Sequence, residues 1–169
     1  EVAQAIQAGA AVTSINCLNN SLGDGVLDIV KVFEETPRLC TLCGLEEGVE
    51  HIDWSNSGKG PVEVALLAAD LKAGRAAAEV ARLTLSGIYK ITDTIQTGPS
   101  TWDYDKDLSG LNSLCDALLA VKDPLHLDLA DCGLGVNGVN PVAKAISAGA
   151  AVTSMNSLAN KFGEDDLAT

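Results

Sequence analysis

Few side chains in this sequence stand in spacings that do chemistry, and each can be tested against what its chemistry needs. Gly133-Leu134-Gly135-Val136-Asn137-Gly138 matches G-x-G-x-x-G. In a dinucleotide site such glycines let the backbone approach a pyrophosphate at a helix N-terminus. The strand-like run LHLDLAD precedes it and a helix-like run follows, as that site requires. But the helix from Pro141 is short, and the next strand, VTSMNSLAN, ends without the acid that would hold a ribose. Asp103, Asp105 and Asp107 occupy the first three odd positions of a Ca²⁺ loop. That loop needs Gly at position six and Glu at position twelve. Leu108 and Leu114 stand there, so the motif fails and solvated loop charge is the expectation. Cys40-x-x-Cys43 lacks the second pair that a zinc site needs. On a strand its two thiols point to opposite faces. Neither His51 nor His126 is placed beside a Ser or Cys nucleophile by any signature. No catalytic residue, cofactor or metal is expected, and the chain is not expected to be an enzyme.

Composition narrows the classes further. The 169 residues carry 11 Lys and Arg against 23 Asp and Glu, a formal net charge of −12. Nucleic acid is disfavoured, because Lys and Arg must replace phosphate counterions. A basic anchor on anionic lipid is disfavoured for the same sign of charge. No run of about 18 apolar residues spans a membrane. With 47% hydrophobic residues the chain can bury a core. The expectation is one array over residues 1–169, intracellular and soluble or peripheral, with an organelle such as the chloroplast as the alternative. The chain begins Glu1-Val2-Ala3 without Met and is expected to be a piece of a longer polypeptide.

The elements that would position these residues come from a repeat. Residues 2–28 align with residues 142–168 at a constant offset of 140, with 16 of 27 positions identical. Val12, Ile15, Cys17, Asn20 and Leu22 fall at positions 1, 4, 6, 9 and 11 of the unit. Pro124, Leu127, Leu129, Cys132 and Leu134 fit the same frame, as do Val152, Met155, Ser157, Asn160 and Phe162. Looser copies start at Val49 and Val80, and residues 39–44 are a further candidate strand. Ser57, Ile88 and Lys59 depart from the frame in the middle.

This pattern resembles the leucine-rich repeat of the ribonuclease-inhibitor type. The resemblance implies an α/β solenoid: a curved parallel sheet lines the concave face, helices line the convex face, and more repeats flank this uncapped fragment. Positions 4 and 6 enter the core from a short strand, and their neighbours face solvent. Asn at position 9 can bond backbone where the strand turns away, and a buried Cys with its weak donor can replace it. Helices are expected over Gly25–Glu35, from Pro61 to Gly74 with one face of Val62, Leu66 and Ala69, over Leu108–Val121, and from Pro141 to Gly149. The interval from Val80 to Pro124 exceeds one repeat, which places an irregular insertion loop near 89–107. Gly135 and Gly138 are explained by the repeat, not by a nucleotide.

The frame also assigns the candidate partner-binding face. Asn16 and Asn19 come from the first unit, and His51, Asp53, Ser55 and Asn56 from the next. Arg82 and Thr84 follow, then His126, Asp128 and Asp131, and finally Ser154 and Asn156. The two histidines flank the Arg82 strand, so their backbones stand roughly 10 Å apart, too wide for easy sharing of a metal. Arg82 is expected to form an ion-pair lattice with Asp53 and Asp128. Insertion residues Trp102, Asp103, Tyr104 and Asp105 form a second candidate binding patch, since solenoid insertions often map to a binding face. The surface is polar and wide, which suits a protein partner better than a small substrate. The resemblance implies a non-enzymatic interaction scaffold. The alternatives are an architectural subunit of a large complex, photosynthetic or otherwise organellar, because the middle block resembles algal long-repeat proteins, and a regulator that accelerates GTP hydrolysis.

Overall fold

The structure, a computed structural model, describes residue 4 and residues 11–23 and 25–161. Residues 2–10 of the first repeat copy, Gln4 apart, and residues 162–168 of the second lie outside the described residues. Helix α1 spans Gly25–Glu35. Its buried stripe is Ile29, Val32 and Phe33, the i, i+3, i+4 spacing of a one-faced helix. Helix α2 spans Pro61–Ala73. Pro61 opens it, Glu63 accepts a hydrogen bond from the Gly60 N–H at 2.9 Å, and left-handed Gly74 closes it. The expected single apolar face is corrected here. Val62 is only half-buried, whereas Val64 and every residue from Leu66 to Leu71 are buried. The reason is position: α2 lies between α1 and helix α3, Ser109–Leu118. The contact with α3 is close, because a Cβ on Gly110 would stand 2.2 Å from the Pro61 carbonyl oxygen. Helix α4, Val136–Ser147, packs on α3. It starts five residues before Pro141, not at it.

The strands form two sheets. Strands β1 (His51–Asp53), β2 (Arg82–Thr84), β5 (Leu125–Asp128) and β6 (Val152–Asn156) make a four-stranded parallel sheet in that order. Ile52, Leu83, Leu125 and Leu127 turn inward into one core with the buried faces of the helices. His51, Asp53, Arg82 and His126 turn outward. The fold is therefore mixed α/β, with a parallel sheet packed on helices. Its strands repeat one bonding scheme: Leu85 N–H donates to the Asp128 carbonyl and Leu129 N–H to the Asn156 carbonyl, both at 2.8 Å.

The region 89–107 is not an irregular loop. It holds a short 3₁₀ helix, Tyr89–Thr92, and an antiparallel hairpin of β3 (Ile95–Gln96) and β4 (Trp102–Asp103). Residues 39–44 also depart from a regular strand. Thr41 and Cys43 make isolated bridges to Ser14 and Asn16. Among the described residues, the first unit thus bonds to this segment and lies outside the four-stranded sheet. No helix among the described residues is long and apolar enough to cross a membrane.

Candidate interaction face

Four parallel strands, with one register shift between Leu125 and His126 against β6, bring eight of the named residues onto one open face. His51 pairs with Arg82, Arg82 with His126, and His126 with Ser154, so the third positions form one row. Asp53, Thr84, Asp128 and Asn156 form the row two residues on. Ser55 and Asn56 continue the β1 chain, and Asp131 the β5 chain. Asn16 and Asn19 are not brought to this sheet, although Lys59 Nζ donates to Asn19 Oδ1 at 2.8 Å.

Much of the polar pattern serves the backbone. Asn16, Asp53, Asp128 and Asn156 each accept a hydrogen bond, through Oδ1, from the N–H two residues later, at 2.9–3.2 Å. These are Asx turns that steer the chain off the strand. The bonds from Ser55, side chain and backbone, hold the Asp53 carboxyl below its usual range. Asn19, Asn56 and Asp131 all have left-handed backbone, with φ of 59°, 53° and 51°. Asn and Asp tolerate that region better than most residues. The expected ion-pair lattice does not form. The ion pairs among the described residues are Lys72–Glu34 and Lys106–Asp103, and the Asp53 and Asp128 carboxylates turn to their own strands. The third row keeps its side chains outward: His51 Nε2 lies 3.0 Å from Thr84 Oγ1, and His126 Nδ1 lies 2.6 Å from Ser154 Oγ.

The expected work of the ninth position is present. Asn160 Nδ2 donates to the Leu129 carbonyl at 2.8 Å, and its Oδ1 accepts from Cys132 and Leu134 N–H, both at 3.0 Å. Cys132 Sγ lies 3.1 Å from the Leu85 carbonyl, the equivalent acceptor one unit earlier.

The insertion residues make contacts within the chain, and Trp102 and Asp103 stay exposed. Asp105 Oδ1 accepts from Gly135 N–H at 3.1 Å, and Oδ2 from Gly138 N–H at 2.8 Å. Its carboxylate thus caps the start of α4, where the helix dipole favours negative charge. That cap explains why the helix begins before Pro141. The glycine motif is explained by the same contacts. A Cβ on Gly133 would stand 2.6 Å from the Tyr89 ring, and one on Gly135 or Gly138 2.6 Å from the Asp105 carboxylate. Asp103 pairs with Lys106 and Asp107 caps Ser109 N–H, so the three acids serve three separate tasks. Trp102 stacks between its neighbours in sequence and space, with ring centroids 5.5 Å from Tyr89 and 6.4 Å from Tyr104. Tyr89 donates to Asp131 at 2.5 Å, and that bond raises its pKa to about 12.

Two residues escaped sequence reasoning. Asp70 is fully buried on α2 and accepts from the Thr41 hydroxyl and from the Leu42 and Cys43 N–H groups at 2.6–3.0 Å. Burial pushes its carboxyl above the usual range despite those bonds. Its signal was a lone acid in the apolar run LLAADL. Arg75 Nη1 donates to the Phe33, Thr36 and Leu39 carbonyls, and its guanidinium lies 4.5 Å from the Phe33 ring centroid. No local pattern marks it. Among the described residues no cluster could hold a metal ion. No family model matches the chain, and no curated protein matches it.

Proposed function

We propose that this chain is a non-enzymatic scaffold of leucine-rich repeats that binds a partner protein on the open face of its parallel sheet. The observation that carries this reading is the in-register outward row His51, Arg82, His126, Ser154. Repeat units joined through Asn160 and Cys132 support the solenoid part of the reading, because each unit bonds to the one before it. A face of this breadth takes an extended surface, not a small substrate enclosed on several sides.

A second reading, an architectural subunit of a larger assembly, has its own observation. The helix side exposes Leu27 at 74% and Leu119 at 47%. A groove of about 420 Å³ runs between α3 and α4, lined by Leu119, Pro141 and Ala145. Native purification with mass spectrometry of the companions separates the two readings when repeated on two variants. Under the scaffold reading Ser154→Trp, which obstructs the sheet face, loses the companions and Leu119→Arg keeps them. The reverse pattern supports the architectural role and refutes the scaffold.

A further inference from the structure

We infer that the recess around Arg82 and His126 seats one carboxylate of an extended partner segment that carries a cation two residues later. The inference rests on the scaffold reading and names the chemistry of its partner.

Arg82 lies on an inner strand of the sheet, exposed, with an imidazole on the strand to each side. Among the described residues its guanidinium makes no hydrogen bond or ion pair. In a chain with more than twice as many acids as bases, an unpaired arginine beside two carboxylates is unexpected. Its neighbours Asp53 and Asp128 are turned to the Ser55 and Ala130 N–H groups instead. The fork of five N–H donors therefore stays open, and it matches a carboxylate in bidentate geometry. The site beside it is concave. A recess of about 280 Å³ is lined by Arg82, His126, Asp128, Ser154 and Asn156. His126 is held there through Nδ1 by Ser154, which leaves Nε2 as its second polar atom.

The same face limits how acidic the partner can be. Asp53 and Asp128 stand two residues further along their strands, roughly 6.6 Å from the Arg82 row. With the net charge of −12 they repel a run of carboxylates. An acid over the Arg82 row and a base over the Asp row fit both. In an extended chain that spacing is acid-x-base, and it lies along the strand direction.

The test uses the full chain and the probe peptide acetyl-Thr-Glu-Thr-Lys-Thr-amide, followed through the His126 Cε1–Hε1 resonance, which the parent chain and Arg82→Gln both carry. Binding in the millimolar range is expected to shift that resonance. A Gln-for-Glu peptide, and the variant Arg82→Gln with the Glu peptide, should each bind about tenfold more weakly. A hexaglutamate peptide should bind no better than the Gln peptide. Arg82→Gln removes no internal bond, so its unfolding midpoint should equal that of the parent chain. Equal binding of the Glu and Gln peptides, unchanged binding by Arg82→Gln, or no shift at millimolar peptide overturns the inference. The scaffold reading fails separately, when native companions protect the helix side and leave the sheet face open.

Discussion

Asp105 Oδ2 lies 2.8 Å from the Gly138 backbone nitrogen, and a Cβ at Gly138 would stand 2.6 Å from the other carboxylate oxygen. A Cβ at residue 138 would therefore have to displace the carboxylate that caps the helix. Gly138 lies inside α4, where Ala is intrinsically better by roughly 0.5–1 kcal/mol. In the parent chain the clash should win, and Gly138→Ala should destabilise by about 1–3 kcal/mol. Asp105→Ala alone should cost about 1–3 kcal/mol through the N–H groups it leaves unpaired. In the Asp105→Ala background, Gly138→Ala should become neutral or stabilising. Urea unfolding of the four chains checks this. Additive effects would show that the two residues are not coupled.

Asp70 holds the irregular segment 39–44 in place. Asp70→Ala leaves the Thr41 hydroxyl and two N–H groups without acceptors in the core, so a loss of about 3 kcal/mol or more is expected. The residue also has a pH signature. Burial raises its folded pKa, so between the ordinary and the raised value the folded state binds more protons than the unfolded state. Its contribution is greatest at acid pH and falls as pH rises through that window. The stability difference between the parent and Asp70→Asn should therefore move against the parent as pH rises from 4 upward. A difference that grows in the parent's favour would show that the three hydrogen bonds outweigh burial.

Arg75 ties the end of α1 to the chain that leaves it. Its three carbonyl acceptors span Phe33 to Leu39. Arg75→Met keeps the stem and removes the donors, and it should raise amide hydrogen exchange over residues 36–44. Arg75→Lys should restore little, because a single ammonium does not reproduce the planar fork. Full protection in Arg75→Met would contradict the clamp.

The five thiols divide by burial. Cys40 is exposed, and Cys17, Cys43, Cys115 and Cys132 are buried. Burial raises the pKa of Cys115 and Cys132 to about 11 and pushes Cys17 and Cys43 up as well. Thiolates, not thiols, react. A colorimetric thiol titration should count one fast group in the native chain and five in denaturant. Fast reaction of Cys132 would contradict its place between Leu85 and the core.

The sequence frame located the rows because they rest on local spacing. Counting from Val49, Val80, Pro124 and Val152 puts His51, Arg82, His126 and Ser154 at the same position, and the strands pair them so. Pro61 and Gly74 bounded α2 for equally local reasons. The roles of Asp70, Arg75 and Asp105 as backbone partners were hidden because those partners lie 27 to 42 residues away. The early start of α4 follows from one such partner, since Asp105 supplies the cap that local sequence lacks. The lattice expected around Arg82 failed for the opposite reason. A nearby backbone N–H captured each carboxylate first.

Hydroxyl-radical footprinting of the native protein with and without its companions tests whether the sheet face receives a partner. His51 and His126 report on the sheet face, and Leu119 and Ile146 on the helix side. Companions are expected to protect the histidines and leave the other two unchanged. Protection of Leu119 and Ile146 with both histidines still reactive would contradict it.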